Sequence, residues 1–140
     1  MTSTPRVFLS IGVLFLVGVV AGVALDRTAL AQAPGIKRTE LARSEIPGCS
    51  THEAVMGISE IPPGGSSGRH LHHGIELGYV LEGSLSVAHP DGSVVSLKAG
   101  QVARNGFEEI HNATNDGSAP VRILAVYIVE KGKPLAEPAR

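Results

Sequence analysis

The sequence predicts an all-β fold, a barrel or jelly roll, preceded by an N-terminal hydrophobic helix that serves as signal peptide or anchor. Three observations predict it. After residue 50, helix-favouring runs are scarce and short stretches rich in Val and Ile alternate with turns, in a chain carrying 17 Gly and 9 Pro; that is the pattern of a sandwich or barrel, not of a βαβ sheet. Residues 7–25 contain no charge and cannot join a soluble core. The remainder of the 140 residues leaves about 100 for one domain, enough to fold alone. With 12 Lys+Arg against 13 Asp+Glu, no basic field is available, so nucleic acid is not an expected partner.

Taken in order, residues 1–31 are expected to be the signal peptide or membrane anchor. Arg6 precedes the apolar run, Asp26-Arg27 follow it, and Ala29-Leu30-Ala31-Gln32-Ala33 offer small residues where a signal peptidase reads. Cleavage is expected after Ala31, because a cut after Ala33 would abut Pro34. The alternative is a retained anchor, since the run is longer than the usual h-region and Arg6 alone marks its front. Basic residues at Arg27, Lys37, Arg38 and Arg43 leave its orientation open. In both cases the folded domain is expected to be exported, periplasmic or extracellular, with transient or anchoring membrane contact.

Residues 32–50 read as a connector interrupted by Pro34, Gly35, Pro47 and Gly48, with room for one short strand. Cys49 is the sole cysteine and has no intramolecular partner. The barrel domain is expected over 51–131. Its first strand, 54–61, stops at Pro62-Pro63-Gly64-Gly65, and a polar loop runs to Arg69. A strand at 75–81 ends at Gly83; 84–88 and 94–97 form a hairpin about Pro90-Asp91-Gly92. A short strand at 101–104 meets the turn pair Asn105-Gly106, and 121–129 is the last strand. Both faces of 121–129 are apolar, and so is the side of 75–81 opposite Glu76. A domain this small cannot cover the second face, so a homodimer packed sheet on sheet is expected. Residues 132–140 form a tail laid over the surface or partly disordered.

The chemistry lies in the histidines. In an extended chain His70 and His72 project to one face and His73 to the other, while Glu76 keeps the parity of the first two if the strand continues past Gly74. Two imidazoles and a carboxylate on one side of a sheet suit a first-row transition metal, and His111 can supply a fourth ligand from across the barrel. The Gly-rich loop 64–68 lets the backbone bend at the rim.

These residues resemble the cupin superfamily, and more narrowly its small single-domain, quercetin-dioxygenase-like exported bacterial members. The first cupin motif, G-x5-H-x-H-x3-E-x6-G, is met at every fixed position by Gly64, His70, His72, Glu76 and Gly83. The second, G-x5-P-x-G-x2-H-x3-N, falls on Gly100, Gly106, Glu108, His111 and Asn115; here Gly106 replaces the proline and Glu108 the second glycine. The resemblance covers about residues 53–130 and implies a divalent metal on His70, His72, Glu76 and His111, with Fe or Mn favoured over Ni, Cu or Zn. It also implies that Glu76 can leave the metal and act as a base.

Other residues carry plainer readings. His52 and His89 are expected to be packed or hydrogen-bonded, and His73 to sit at the rim. Phe107 either walls the pocket or plugs the core, and Arg69 and Arg104 either meet an anion or are solvated. The leading functional expectation is a metal-dependent, dioxygenase-like enzyme acting on a small oxygen-rich substrate, an enol, phenol or carboxylate, with Glu76 as catalytic group. The alternative is a periplasmic module that binds or senses a small molecule or metal without turnover.

Overall fold

Ten strands run through residues 35–140, the part of the chain that the computed structural model describes. They are β1 (Lys37–Ile46), β2 (Cys49–Ile61), β3 (His70–Leu71), β4 (Gly74–Glu82), β5 (Ser84–Ala88), β6 (Val94–Lys98), β7 (Val102–Asn105), β8 (Asn112–Thr114), β9 (Val121–Glu130) and β10 (Glu137–Pro138). The apolar run 7–25 and the expected cleavage after Ala31 lie outside the described residues. Among the described residues no helix is long and apolar enough to cross a membrane.

Period-two patterning sets the architecture. Along β9 the residues Val121, Ile123, Ala125, Tyr127 and Val129 are buried and those between them half-buried. This strand is the centre of a five-stranded antiparallel sheet in the order β1-β2-β9-β4-β7. A three-stranded sheet, β6-β5-β8, faces it, and its Leu85, Val87 and Leu97 pack on Ile61, Val80, Val121 and Ile123. Each such side chain stabilises the fold by roughly 1.5–3 kcal/mol on burial. A second cluster, Val55, Ala125, Tyr127 and Val129, occupies the other end of β9. The result is the all-β jelly-roll barrel that the sequence predicts.

Two glycines are required by close approach. A Cβ on Gly74 would lie 2.0 Å from the Ile128 carbonyl oxygen, so only glycine lets β4 enter the sheet beside β9. Gly83 has φ of 80°, and a Cβ there would meet the Pro120 oxygen at 2.9 Å; it turns the chain from one sheet to the other.

The structure differs from the sequence reading at both ends of the domain. The connector holds not a short strand but the ten-residue β1, hairpinned to β2 through Pro47-Gly48. Nine of its ten residues are exposed, so no buried face imposed an alternating pattern; the sheet therefore begins well before residue 51. The tail does lie over the surface, but as an ordered strap: β10 pairs with β3. The outer face of the large sheet is left uncovered by the domain itself, as the apolar pattern of 75–81 and 121–129 implies. Leu77, Tyr79 and Leu81 are exposed, and Leu124, Val126 and Ile128 only half-buried, because nothing within the described residues covers them.

Candidate metal centre

His70 and His111 are joined by a reciprocal pair of backbone hydrogen bonds, His70 N–H to His111 O at 3.0 Å and His111 N–H to His70 O at 2.9 Å. This bridge places their rings 4.3 Å apart. His72, two residues on, falls on the same side, with its ring 4.9 Å from that of His70 and 5.2 Å from that of His111. All three are buried, and one nitrogen from each lies within 4.8 Å of the others, a group that could hold a metal ion. From β4, Glu76 Oε2 lies 3.3 Å from Nε2 of both His72 and His111. His73 turns away, as parity requires, and contacts the Glu108 and Glu137 carboxylates at 3.2 and 2.6 Å.

The outward nitrogens decide what the inward ones can do. His70 Nδ1 donates to Gly68 O at 2.9 Å, His111 Nδ1 to Glu109 O at 2.9 Å, and His72 Nδ1 to Leu135 O. A carbonyl only accepts, so each Nδ1 carries the hydrogen and each Nε2 is left as a lone pair. His72 Nε2 is buried with no hydrogen-bond partner, in a residue 1% exposed. A cation would satisfy that orphaned lone pair, and three imidazoles with a carboxylate fit a divalent transition metal.

Electrostatics favour the same state at His70 and oppose it at His111. Burial pushes His70 down to about 4, so its ring is neutral at neutral pH. Burial alone would raise the Glu76 carboxyl, but His111 and His72 outweigh it and hold the group well below the usual carboxylate range. Burial opposes charge on His111, yet Glu76 raises it on balance. Asn105 Nδ2 donates to Glu76 Oε2 at 2.6 Å, fixing the carboxylate. Tyr127, beside Glu76 in the sheet register and 5.0 Å ring to ring from His72, is pushed up by burial and keeps its proton.

The site opens on a small barrel cavity of about 30 Å³, lined by His70, Glu76, His111, Ser59 and Arg38 among apolar side chains. Such a volume is about that of one water molecule. A larger depression of about 430 Å³, bordered by Ser84, Ser96 and Lys98, contains none of the four site residues. Arg38 enters the cavity from β1, with Nη2 3.4 Å from His70 Nε2. Arg69 and Arg104 are exposed and do not line it, and Phe107, 56% exposed, neither walls the cavity nor plugs the core.

Sequence reasoning thus found the four converging residues but missed Arg38, Asn105 and the Leu135 carbonyl. Asn105 read as half of a turn pair; it is the buried last residue of β7, opposite Glu76 in register. The second-motif departure is accommodated rather than reversed, because Glu108 adopts the left-handed φ, 52°, of the glycine it replaces. His52 takes the plain role expected of it, Nδ1 with Thr51 Oγ1 at 2.9 Å; His89 Nδ1 lies 3.1 Å from a Glu109 carboxylate oxygen but makes no hydrogen bond.

With this geometry in place, the chain belongs to the cupin domain family, whose model matches residues 57–127. It is 39% identical over 71 residues to the oxalate-binding protein of Thermotoga maritima, a stretch covering 50% of this chain and 58% of that relative. A double-stranded β-helix domain protein from Klebsiella pneumoniae shares the fold at a TM-score of 0.60 and 22% identity, over 76% of this chain and 88% of the other. A polyketide cyclase from Streptomyces resistomycificus does so at 0.60 and 24%, over 77% and 73%. At those identities the two structures speak for the fold alone.

Proposed function

We propose that this protein binds a divalent transition metal through His70, His72, His111 and Glu76, and through that metal a small oxygen-rich anion such as a dicarboxylate. The observation that carries the metal is the convergence of three Nε2 lone pairs, each fixed by an Nδ1–H on a backbone carbonyl. Arg38 carries the anion: a divalent ion and a guanidinium beside one carboxylate leave an excess of positive charge that a dianion complements. The relative's oxalate-binding description agrees with that class. The metal, when bound, would act as a Lewis acid that orients the ligand's oxygens.

A second reading, dioxygenase-like turnover of an enol, phenol or carboxylate, is favoured by Glu76. Its carboxylate, held by Asn105, lines the same cavity, within reach of a proton on a bound ligand. We place the domain outside the cytoplasm, on the strength of the uncharged run 7–25 and the Ala-x-Ala ending at Ala31.

Elemental analysis of protein purified from its natural compartment tests the metal. About one ion per chain is expected, falling to about a tenth or less when His70→Ala and His72→Ala are combined. Oxalate should raise the melting temperature of the metal-loaded protein, and Arg38→Gln should weaken that binding about 10–100-fold, the loss of a charge-assisted contact. No metal, or no dependence on these residues, defeats the proposal. Oxygen uptake with flavonols or enediols separates turnover from binding.

A further inference from the structure

We propose that the C-terminal segment 134–139 is a positioning strap for the metal site: the Leu135 carbonyl selects which nitrogen of His72 faces the cavity. This rests on the metal-binding reading above.

The argument begins with where each histidine finds an acceptor for its Nδ1–H. His70 uses the carbonyl two residues before it, that of Gly68, and His111 likewise uses that of Glu109. His72 does not use that local solution. Two residues before it stands His70, whose carbonyl accepts the backbone N–H of His111. His72 instead takes an acceptor 63 residues away, in the tail. Remove that acceptor and a ring 1% exposed keeps an Nδ1–H with no partner. The cost of that orphan falls if the hydrogen moves to Nε2, where the Glu76 carboxylate lies 3.3 Å off, and an Nε2–H cannot bind a metal.

The strap is held by contacts that have no other evident purpose. Glu137 and Pro138 pair with Leu71 and His70, and Ala139 N–H donates to Arg69 O at 3.0 Å. The Glu137 carboxylate accepts from His73 Nε2 at 2.6 Å. The Leu135 side chain packs on Val55, Ala125, Tyr127 and Val129. These holds flank the one carbonyl that His72 needs. The strap residues themselves lie beyond residue 127, where the family match ends.

The test compares the full chain with one ending at Lys133, by two readouts. In chelator-treated protein, nitrogen-15 NMR of the imidazoles should show His72 as the Nδ1–H form, and truncation should shift it toward the other tautomer while His70 and His111 are unmoved. Zn(II) titration should show a dissociation constant about 10–100-fold weaker for the truncated chain, the usual consequence of losing a partner that orients a ligand. If truncation unfolds the domain, the full-length double variant Leu135→Asn, Glu137→Ala loosens both side-chain holds and is read by the same signals. An unchanged His72 tautomer in a folded variant overturns the proposal, as does Zn(II) affinity within about 2-fold of the parent. Should the full chain bind no metal, the functional reading fails while the tautomer measurement still decides the role of the strap.

Discussion

Glu108 shows how a single residue can violate a family pattern and keep its geometry. It is the one non-glycine among the described residues with positive φ, a conformation that costs an ordinary side chain about 1–2 kcal/mol. In exchange its backbone N–H reaches His72 O at 3.0 Å and its carboxylate reaches His73 at 3.2 Å. Glu108→Gly relieves the strain, surrenders a weak surface pair and adds freedom to the unfolded chain. Its stability should therefore stay within about 1 kcal/mol of the parent in denaturant titration. Glu108→Val, which cannot take this φ at small cost, should lose about 2 kcal/mol or more. Acidity supplies a second residue-scale prediction, for protein freed of metal by a chelator. The lowered Glu76 contributes stability that is present above its unfolded value and lost as pH falls through its folded one. The raised His111 contributes stability that is present below its unfolded value and lost as pH rises through its folded one. The pair is therefore strongest in the mildly acidic window between them. Glu76→Gln should flatten the pH dependence of melting there.

Among the elements, legibility follows burial. Strands β4, β5 and β9 press one face on the core, and their apolar runs bounded by turn residues can be read without coordinates. His70, His72 and Glu76 were legible because one-sided convergence demands matching parity. The strands β1 and β10 are held by backbone hydrogen bonds and polar contacts, and those leave no mark in residue type. Arg38 illustrates the loss: it faces the cavity only because β1 pairs it with the buried Ser59, and without the strand it is one more basic residue in a connector. Gly74 belongs to this scale as well, because it determines how β4 lies against β9. Gly74→Ala forces a methyl to within 2.0 Å of a backbone oxygen, and the sheet must part where Glu76 enters it. A loss of at least about 3 kcal/mol is expected, together with loss of bound metal; retention of both would show that the strand can shift at little cost.

For the whole molecule the unresolved balance is the outer face of the large sheet. Register aligns Met56, Val126 and Leu77 in one row across three strands, and Ile58, Leu124, Tyr79 and Val102 in the next across four. Leu77 is 42% and Tyr79 45% exposed, and a contiguous apolar patch of this kind marks a contact surface more often than a solvent-facing one. A twofold partner laying the same face against it would bury each row on its own copy, since such an interface is self-complementary. A stable pair needs roughly 800 Å² from each partner, which three or four strands can supply. The chain lacking residues 1–31 should therefore sediment as a dimer. Placing carboxylates at the centre of the patch, with Leu77→Glu and Tyr79→Glu together, should give a monomer that keeps its metal, because Glu76 projects to the opposite face of β4 and the three histidines lie outside this sheet. A parent chain that sediments as a monomer at about 100 µM, a concentration at which even a micromolar dimer persists, would leave the face to a different partner.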